Sequence, residues 1–183
     1  MKVYLLAAYP MKNLVCLPIV ILFLGSLISC QPVRWKTIKS ETYRQFPTVR
    51  QITTQQLADW LQDVQRKPPL LLDVRTQAEY DVSHLAGAVR VEPGSNPEML
   101  RIARDQPIVA YCSVGYRSSA FGKSLLDAGF TNVANLDGSI FQWANENRPI
   151  SKNGSSTDKV HPFNAIWGTL LNKSYRAEVK PIE

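Results

Sequence analysis

The sequence contains few of the side chains that bind metals or form disulfides. It has three cysteines and two histidines among 183 residues. The histidines, His84 and His161, are far apart and lack the ligand spacing of a zinc site. No glycine-rich pattern for phosphate or dinucleotide binding is present. We therefore expect no metal ion and no cofactor.

A strong excess of charge of one sign is also missing. The chain has 21 Lys and Arg against 15 Asp and Glu, a net charge of +6. This excess is small and scattered, so it does not indicate a nucleic-acid-binding surface. Four basic residues do follow the apolar N-terminal segment. They fit either a solvated linker or a segment attracted to anionic headgroups, and they are Arg34, Lys36, Lys39 and Arg44.

The chain also lacks an apolar run of ordinary membrane-spanning length. The longest uncharged apolar run, Leu14–Ser29, lies just after Lys12 and is interrupted by Pro18 and Gly25, so it is short for a spanning helix. A basic start followed by a short apolar segment is typical of an export signal. We expect residues 1–29 to be a signal peptide.

The signal ends in "LISC", Leu27–Cys30, which resembles the bacterial lipobox. This resemblance implies a lipid on Cys30 that anchors the exported protein to the periplasmic or extracytoplasmic face of a bacterial membrane. An uncleaved membrane anchor is the alternative. A start at Met11 instead of Met1 would give a signal of ordinary length.

Strand and helix patterns alternate along the next hundred residues. Short apolar runs bounded by turn residues predict buried strands at "VRQI", "LLLDV", "AVRVE", "PIVAYC" and "TNVANL". Helices are predicted at "TTQQLADWLQDVQ", which opens on a capping box of Thr53 and Gln56, and at "TQAEYDVSHL", "NPEMLRIAR", "SSAFGKSLLDAGF" and "SIFQWANEN". The pattern favours an α/β fold with a parallel sheet covered by helices on both faces.

Segments of a different kind flank this domain, which we place at residues 48–150. Residues 30–47 lack clear periodicity and predict a tether, and the polar residues 151–160 predict a flexible linker. In the tail, residues 161–183, five apolar residues have helical spacing and predict a short amphipathic helix. They are Phe163, Ile166, Trp167, Leu170 and Leu171. This helix would pack on the domain, or else dock on a partner or the membrane.

The stretch "YCSVGYRSS" contains the remaining thiol, Cys112, if Cys16 and Cys30 belong to the signal and the lipobox. A buried cysteine can be a small core residue or a nucleophile, which reacts as its thiolate. Here Gly115 allows a tight turn whose N–H groups point inward. The following helix N-terminus and Arg117 would both favour an anion.

Three motifs make the chain similar to the rhodanese family of sulfurtransferases over residues 47–150. "CSVGYRS" resembles the family's active loop, "LLLDVRTQAEYDVSHLAGA" its Asp-Val-Arg signature, and "LDGSIFQW" its closing element. Three residues depart from the usual pattern and concern local turns: Ser83 and Ser139 stand for glycine and Ala86 for proline.

The resemblance implies sulfur transfer through a persulfide on Cys112. The loop residues Ser113, Val114, Gly115, Tyr116 and Arg117 would supply stabilising N–H groups, and Arg117 would also attract an anionic donor. Asp73, Arg75 and Glu79 would act as structural charge pairs. His84 would be a structural hydrogen-bonding residue, with a role as general base as the alternative.

The expected partners are a small sulfur donor, such as thiosulfate or a persulfide, and an acceptor such as cyanide or a thiol. A protein sulfur partner is a further expectation. Only four residues separate Cys112 from Arg117, whereas related phosphatases and arsenate reductases have five, so we expect little phosphatase activity. The alternative function is a non-catalytic binding or sulfur-carrier module anchored at the membrane.

Overall fold

The computed structural model describes residues 34–179. The predicted signal peptide, the two candidate start sites, Cys16 and the lipobox with Cys30 lie outside the described residues. Within the described part of the chain, no helix is both long enough and apolar enough to cross a membrane.

The domain is built on a five-stranded sheet in which every pair of neighbours is parallel. The strand order is β1-β5-β4-β2-β3, so β4 lies at the centre. The strands are β1 (Arg50–Ile52), β2 (Leu70–Asp73), β3 (Val89–Arg90), β4 (Ile108–Tyr111) and β5 (Val133–Leu136).

Within the described residues, five α-helices accompany the sheet. The second begins with the predicted capping box, which is confirmed: the Thr53 hydroxyl accepts from the Gln56 N–H, and the Gln56 side chain accepts from the Thr53 N–H. The helices are α1 (Trp35–Gln45), α2 (Thr54–Gln62), α3 (Gln77–Val82), α4 (Tyr116–Asp127) and α5 (Ser139–Asn145).

Side chains along the central strand alternate between two apolar cores, because successive residues of a strand point to opposite faces. Val109 and Tyr111 belong to one core, which also takes in side chains of α2 and α5. Ile108, Ala110 and Cys112 belong to the other, which takes in side chains of α4. The predicted α/β sheet covered on both faces is confirmed.

The predicted tether at residues 30–47 is wrong for the part described, because α1 occupies residues 35–45. Ile38 and Thr42, one helical turn apart, are buried on the domain. The Lys39 ammonium lies 2.7 Å from a carboxylate oxygen of Asp137. Since so few apolar residues of α1 face the core, its sequence shows no amphipathic stripe. Tertiary contacts stabilise this helix instead.

The helix predicted at "NPEMLRIAR" is reduced to a single 3₁₀ turn, Pro97–Met99. Asn96 caps this turn, and Leu100 already has extended backbone. Leu100 and Ile102 pack against the core from this irregular segment while Met99 is exposed. Leu100 and Ile102 are therefore partly buried without a helix.

The predicted linker at residues 151–160 is also wrong, since most of it forms a β-hairpin. Strands β6 (Ile150–Lys152) and β7 (Ser155–Thr157) pair antiparallel. Asn153 and Gly154 between them have φ of 50° and 78°. An Asn-Gly pair with positive φ is the signature of a two-residue hairpin turn, a signal present in the sequence.

The tail packs back on the domain, but its described part forms no amphipathic α-helix. It contains two 3₁₀ turns, Trp167–Leu170 and Lys173–Tyr175. Leu170 and Leu171 are buried, whereas Ile166 is exposed. The predicted helix is therefore wrong. The backbone here is irregular, and the five apolar residues do not lie on one face of a helix.

Candidate active site

Cys112 lies directly after the central strand, at the carboxyl edge of the parallel sheet, where open α/β sheets bind ligands. Its side chain is buried and it is the free cysteine of the described chain. The residues that follow turn sharply at Gly115, which has φ of 108°. This value is the reason for a glycine at the position, since other residues adopt it only with strain.

Helix α5 orients the loop through hydrogen bonds to the backbone of Cys112 and Ser113. The N–H groups of Ile140 and Phe141 donate to the carbonyls of Cys112 and Ser113, at 3.2 and 3.1 Å. The Ser139 hydroxyl accepts from the Cys112 N–H at 3.1 Å and donates to the Leu136 carbonyl at 3.0 Å. Because these carbonyls face α5, the loop is free to turn N–H groups toward the thiol.

The thiol accepts a hydrogen bond from the turn that follows it. The Gly115 N–H donates to Cys112 Sγ at 3.2 Å. Burial raises the pKa of the Cys112 thiol, but the Arg117 charge and the hydroxyl and N–H groups of Ser118, together with the Gly115 N–H, outweigh it. The net pKa lies below the ordinary value, which favours the reactive thiolate.

Ser118 was not among the predicted site residues. Its buried hydroxyl has no hydrogen-bond partner of ordinary geometry among the described residues, yet it lowers the pKa of Cys112. The sequence could have indicated this residue, because Ser118 directly follows Arg117 in the motif "CSVGYRS".

Arg117 is held by the carboxylate of Glu79. Its Nη1 and Nη2 atoms lie 3.0 and 2.7 Å from Oε2 and Oε1 of that carboxylate. The Ser113 hydroxyl donates to Glu79 Oε1 at 2.8 Å. Burial raises the pKa of Glu79, but the hydrogen bonds and charge of Arg117, with the contributions of Thr76 and Ser113, lower it to about 2. Glu79 is therefore an anion that positions the active loop.

Asp73 and Arg75 form a second, fully buried ion pair. Arg75 Nη2 lies 2.6 Å from Asp73 Oδ2, and Arg75 also donates to the Ser83 carbonyl. The guanidinium lies 5.8 Å from the ring centre of Tyr111, whose hydroxyl accepts from the Leu85 N–H at 3.0 Å. These groups tie the end of β2 to the segment after α3 rather than contacting the thiol.

His84 makes its contacts away from the thiol. Its Nδ1 atom lies 3.2 Å from the Tyr80 carbonyl and its ring stacks on Tyr80 at 4.0 Å. Its backbone exchanges hydrogen bonds with Ser151. The described contacts are those of a structural residue and do not reach Cys112.

A cavity of about 140 Å³ opens on the thiol. The loop residues Val114 and Tyr116 line it, and so do Phe163 and Trp167 of the tail. These two aromatic residues were predicted to form a helix stripe and not part of the site. Among the described residues, no cluster of three metal-ligating side chains occurs.

A cysteine on an inward-turned loop after a central parallel strand, followed after four residues by the arginine that closes the loop, is the arrangement of a rhodanese-like domain. The sequence profile described as Rhodanese-like domain matches residues 53–146, just over half of the chain. The protein belongs to this family.

Two curated relatives illustrate the range of named activities. The chain is 35% identical over 101 residues to a probable adenylyltransferase/sulfurtransferase MoeZ of Mycobacterium tuberculosis, covering 54% of this chain and 25% of the relative. It is 29% identical over 140 residues to a tRNA uridine(34) hydroxylase of Shouchella clausii, covering 68% and 42%. The chain thus spans less than half the length of either relative.

Solved structures agree on the fold. A thiosulfate sulfurtransferase from Pseudomonas aeruginosa matches 64% of this chain and 23% of its own, with a TM-score of 0.54 and 19% identity. A rhodanese-like domain from Anabaena sp. matches 57% and 80%, with a TM-score of 0.51 and 22% identity. At these identities the likeness establishes the fold alone.

Proposed function

We propose that this protein is a sulfurtransferase that carries a sulfane sulfur on Cys112. The observation that supports this most directly is the thiol itself, which accepts from the Gly115 N–H at 3.2 Å and has a lowered pKa beside Arg117. A persulfide formed there would end in a sulfur anion, which the same N–H groups and charge would stabilise.

The proposed cycle has two displacements. The Cys112 thiolate attacks the terminal sulfur of the donor, the donor's bond to that sulfur breaks, and the leaving group departs with the electron pair. A thiophilic acceptor such as cyanide or a thiolate then attacks the outer sulfur of the persulfide. The sulfur–sulfur bond breaks and Cys112 leaves as the thiolate, so the enzyme undergoes no net redox change.

Intact-mass measurement tests the cycle. The full chain is incubated with thiosulfate, and in a second series with an organic persulfide, beside the Cys112→Ser variant. We expect a gain of one sulfur atom that cyanide removes and that the variant lacks. If neither donor produces this gain, sulfur transfer through Cys112 is wrong, and the alternative of a non-catalytic binding module takes its place.

A sulfur carrier that exchanges with a protein partner is the second candidate. A sulfur carrier would form a stable persulfide and would turn over slowly with small acceptors.

We also propose that the protein is exported and anchored through a lipid on Cys30. The support is the sequence: an apolar segment that ends in "LISC". Metabolic labelling with palmitate should mark the wild-type protein and not the Cys30→Ser variant. Label that persists in the variant would contradict a lipid on this residue.

A further inference from the structure

The tail supplies an aromatic wall to the cavity that contains the thiol. Phe163 and Trp167 line this cavity together with Cys112 and Val114. The Phe163 ring lies over the Arg117 guanidinium, 4.8 Å from its ring centre to the guanidinium carbon. The active loop therefore does not open freely to solvent on this side.

The domain holds the tail on both sides of this wall. Before it, Val160 is fully buried and its N–H donates to the Tyr175 carbonyl at 2.7 Å. After it, the Asn145 side chain of α5 donates to the Leu170 carbonyl and accepts from the Asn172 N–H, both at 2.8 Å. The wall is therefore a fixed part of the site.

The backbone between these anchors is folded tightly to present Phe163. The Asn164 N–H donates to the Pro162 carbonyl at 2.8 Å, and Phe163 between them has φ of 65°. A three-residue turn with positive φ is rare and strained for a bulky residue. A side chain at Gly168 would clash with Pro162, since its Cβ would lie 2.9 Å away.

The charges around the thiol do not suit a dianionic substrate. Among the described residues that line the cavity, Arg117 is the only cation, and Glu79 already engages two of its nitrogens. With Cys112 as thiolate, these three groups sum to −1. Thiosulfate would bring two further negative charges, which the helix N-terminus offsets by only about half a charge.

The size of the cavity suits one aromatic ring. An apolar protein cavity of about 150 Å³ holds one benzene molecule, and this cavity measures about 140 Å³. Val114, Phe163 and Trp167 line it, and these apolar side chains favour binding of an apolar group of that size.

We infer that the sulfur substrate of Cys112 is a monoanionic or neutral sulfane-sulfur compound whose apolar body, about the size of a phenyl ring, packs against Phe163 and Trp167. The inference rests on the proposed sulfurtransferase function and specifies its substrate class. For an organic persulfide R–S–S⁻, the Cys112 thiolate attacks the terminal sulfur and the S–S bond breaks. R–S⁻ leaves with the electron pair and Cys112 retains the sulfur as a persulfide anion.

Thiosulfonates of the form R–SO₂–S⁻ are the probes, because they carry a transferable terminal sulfur and one negative charge. Attack by Cys112 releases the sulfinate R–SO₂⁻ with the electron pair. Benzenethiosulfonate, methanethiosulfonate and thiosulfate then differ only in the group on the central sulfur. The measurement is kcat/KM for each donor with cyanide as acceptor, using the full chain.

Two variants remove the wall and one serves as control. Phe163→Gly deletes the ring at a position where glycine is unstrained, and Trp167→Ala deletes the second ring. Ile166→Ala changes an exposed apolar residue of the same segment that does not line the cavity. Thermal unfolding of every variant shows whether its fold is intact.

We expect wild-type and Ile166→Ala proteins to prefer benzenethiosulfonate over methanethiosulfonate by about tenfold or more, the discrimination an apolar pocket provides. Thiosulfate should be the poorest donor. Phe163→Gly should reduce the preference several-fold while its unfolding transition stays cooperative. Trp167→Ala should act in the same direction.

Equal efficiency with all three donors, a preference for thiosulfate, or an unchanged preference in a folded Phe163→Gly protein would overturn the substrate inference and leave sulfur transfer standing. If no donor loads sulfur onto Cys112, the proposed function itself fails, and the inference fails with it.

Discussion

Glu79 and Arg117 are 38 residues apart in the chain, yet the Glu79 carboxylate binds two nitrogens of the Arg117 guanidinium, at 2.7 and 3.0 Å. The same carboxylate caps α3, where it accepts from the Thr76 N–H at 3.1 Å. One buried anion thus connects the start of α3 with the active loop. It fixes the arginine whose charge favours the Cys112 thiolate.

The charge of Arg117 should be measurable in the titration of Cys112. Because Arg117 lowers the pKa of the thiol, the double variant Arg117→Met/Glu79→Gln should titrate at a higher pH than Glu79→Gln alone. The double variant avoids leaving a buried carboxylate unpaired. The titration midpoint of Cys112 is measured from thiolate absorbance as a function of pH. The absorbance of the same variant with Cys112→Ser added is subtracted, so that only Cys112 contributes. Equal midpoints would contradict a role for this charge.

The hydroxyl of Ser118 should have a smaller effect of the same sign. Ser118→Ala removes a group that lowers the pKa of Cys112 and should raise the titration midpoint with little change in unfolding temperature. Ser119→Ala is the matched control: this buried hydroxyl of the same helix accepts from Gln51 at 3.2 Å and should leave the midpoint unchanged. A shift of similar size in both variants would indicate a general effect of the helix.

Glu79 should make the fold sensitive to acid. Its pKa in the fold is about 2 against an ordinary 4.5, so its stabilisation is fully present above pH 4.5 and is lost as the pH falls toward 2. The difference amounts to roughly 3 kcal/mol in the free energy of unfolding. Urea unfolding between pH 2 and pH 6 should show a shallower pH dependence for Glu79→Gln than for the wild type. Parallel curves would contradict this assignment.

Ser139 should distinguish backbone strain from hydrogen bonding. It has φ of 49°, and its hydroxyl bonds both the Cys112 N–H and the Leu136 carbonyl. Ser139→Ala loses these bonds and keeps the strain, whereas Ser139→Gly loses the bonds and relieves the strain. We expect Ser139→Gly to be more stable than Ser139→Ala by about 1 kcal/mol in chemical denaturation. The reverse order would mean that the positive φ costs nothing here.

Features that depend on near neighbours in the chain could be predicted from local sequence patterns. Strand β4, the loop with Cys112 and Gly115, and the start of α4 follow one another in the chain. The sequence pattern therefore predicted all three. Thr53 and Gln56 likewise predicted their capping box. Thr76 and Glu79 form a second capping box with the same spacing, which the sequence also contained. Such hydrogen bonds join residues three or four positions apart, and local spacing is enough to predict them.

The contacts between residues far apart in the chain could not be predicted in this way and are known from the tertiary structure. The sequence predicted charge pairs near the loop, but it did not show that Glu79 holds Arg117 while Asp73 pairs with Arg75. It placed Phe163 and Trp167 on one helix stripe, although the tail forms tight turns that carry both rings to Cys112. Helix α1 was missed for the same reason: its stability comes from burial against the domain, not from its own sequence pattern. These arrangements depend on contacts across long stretches of chain, which no local periodicity specifies.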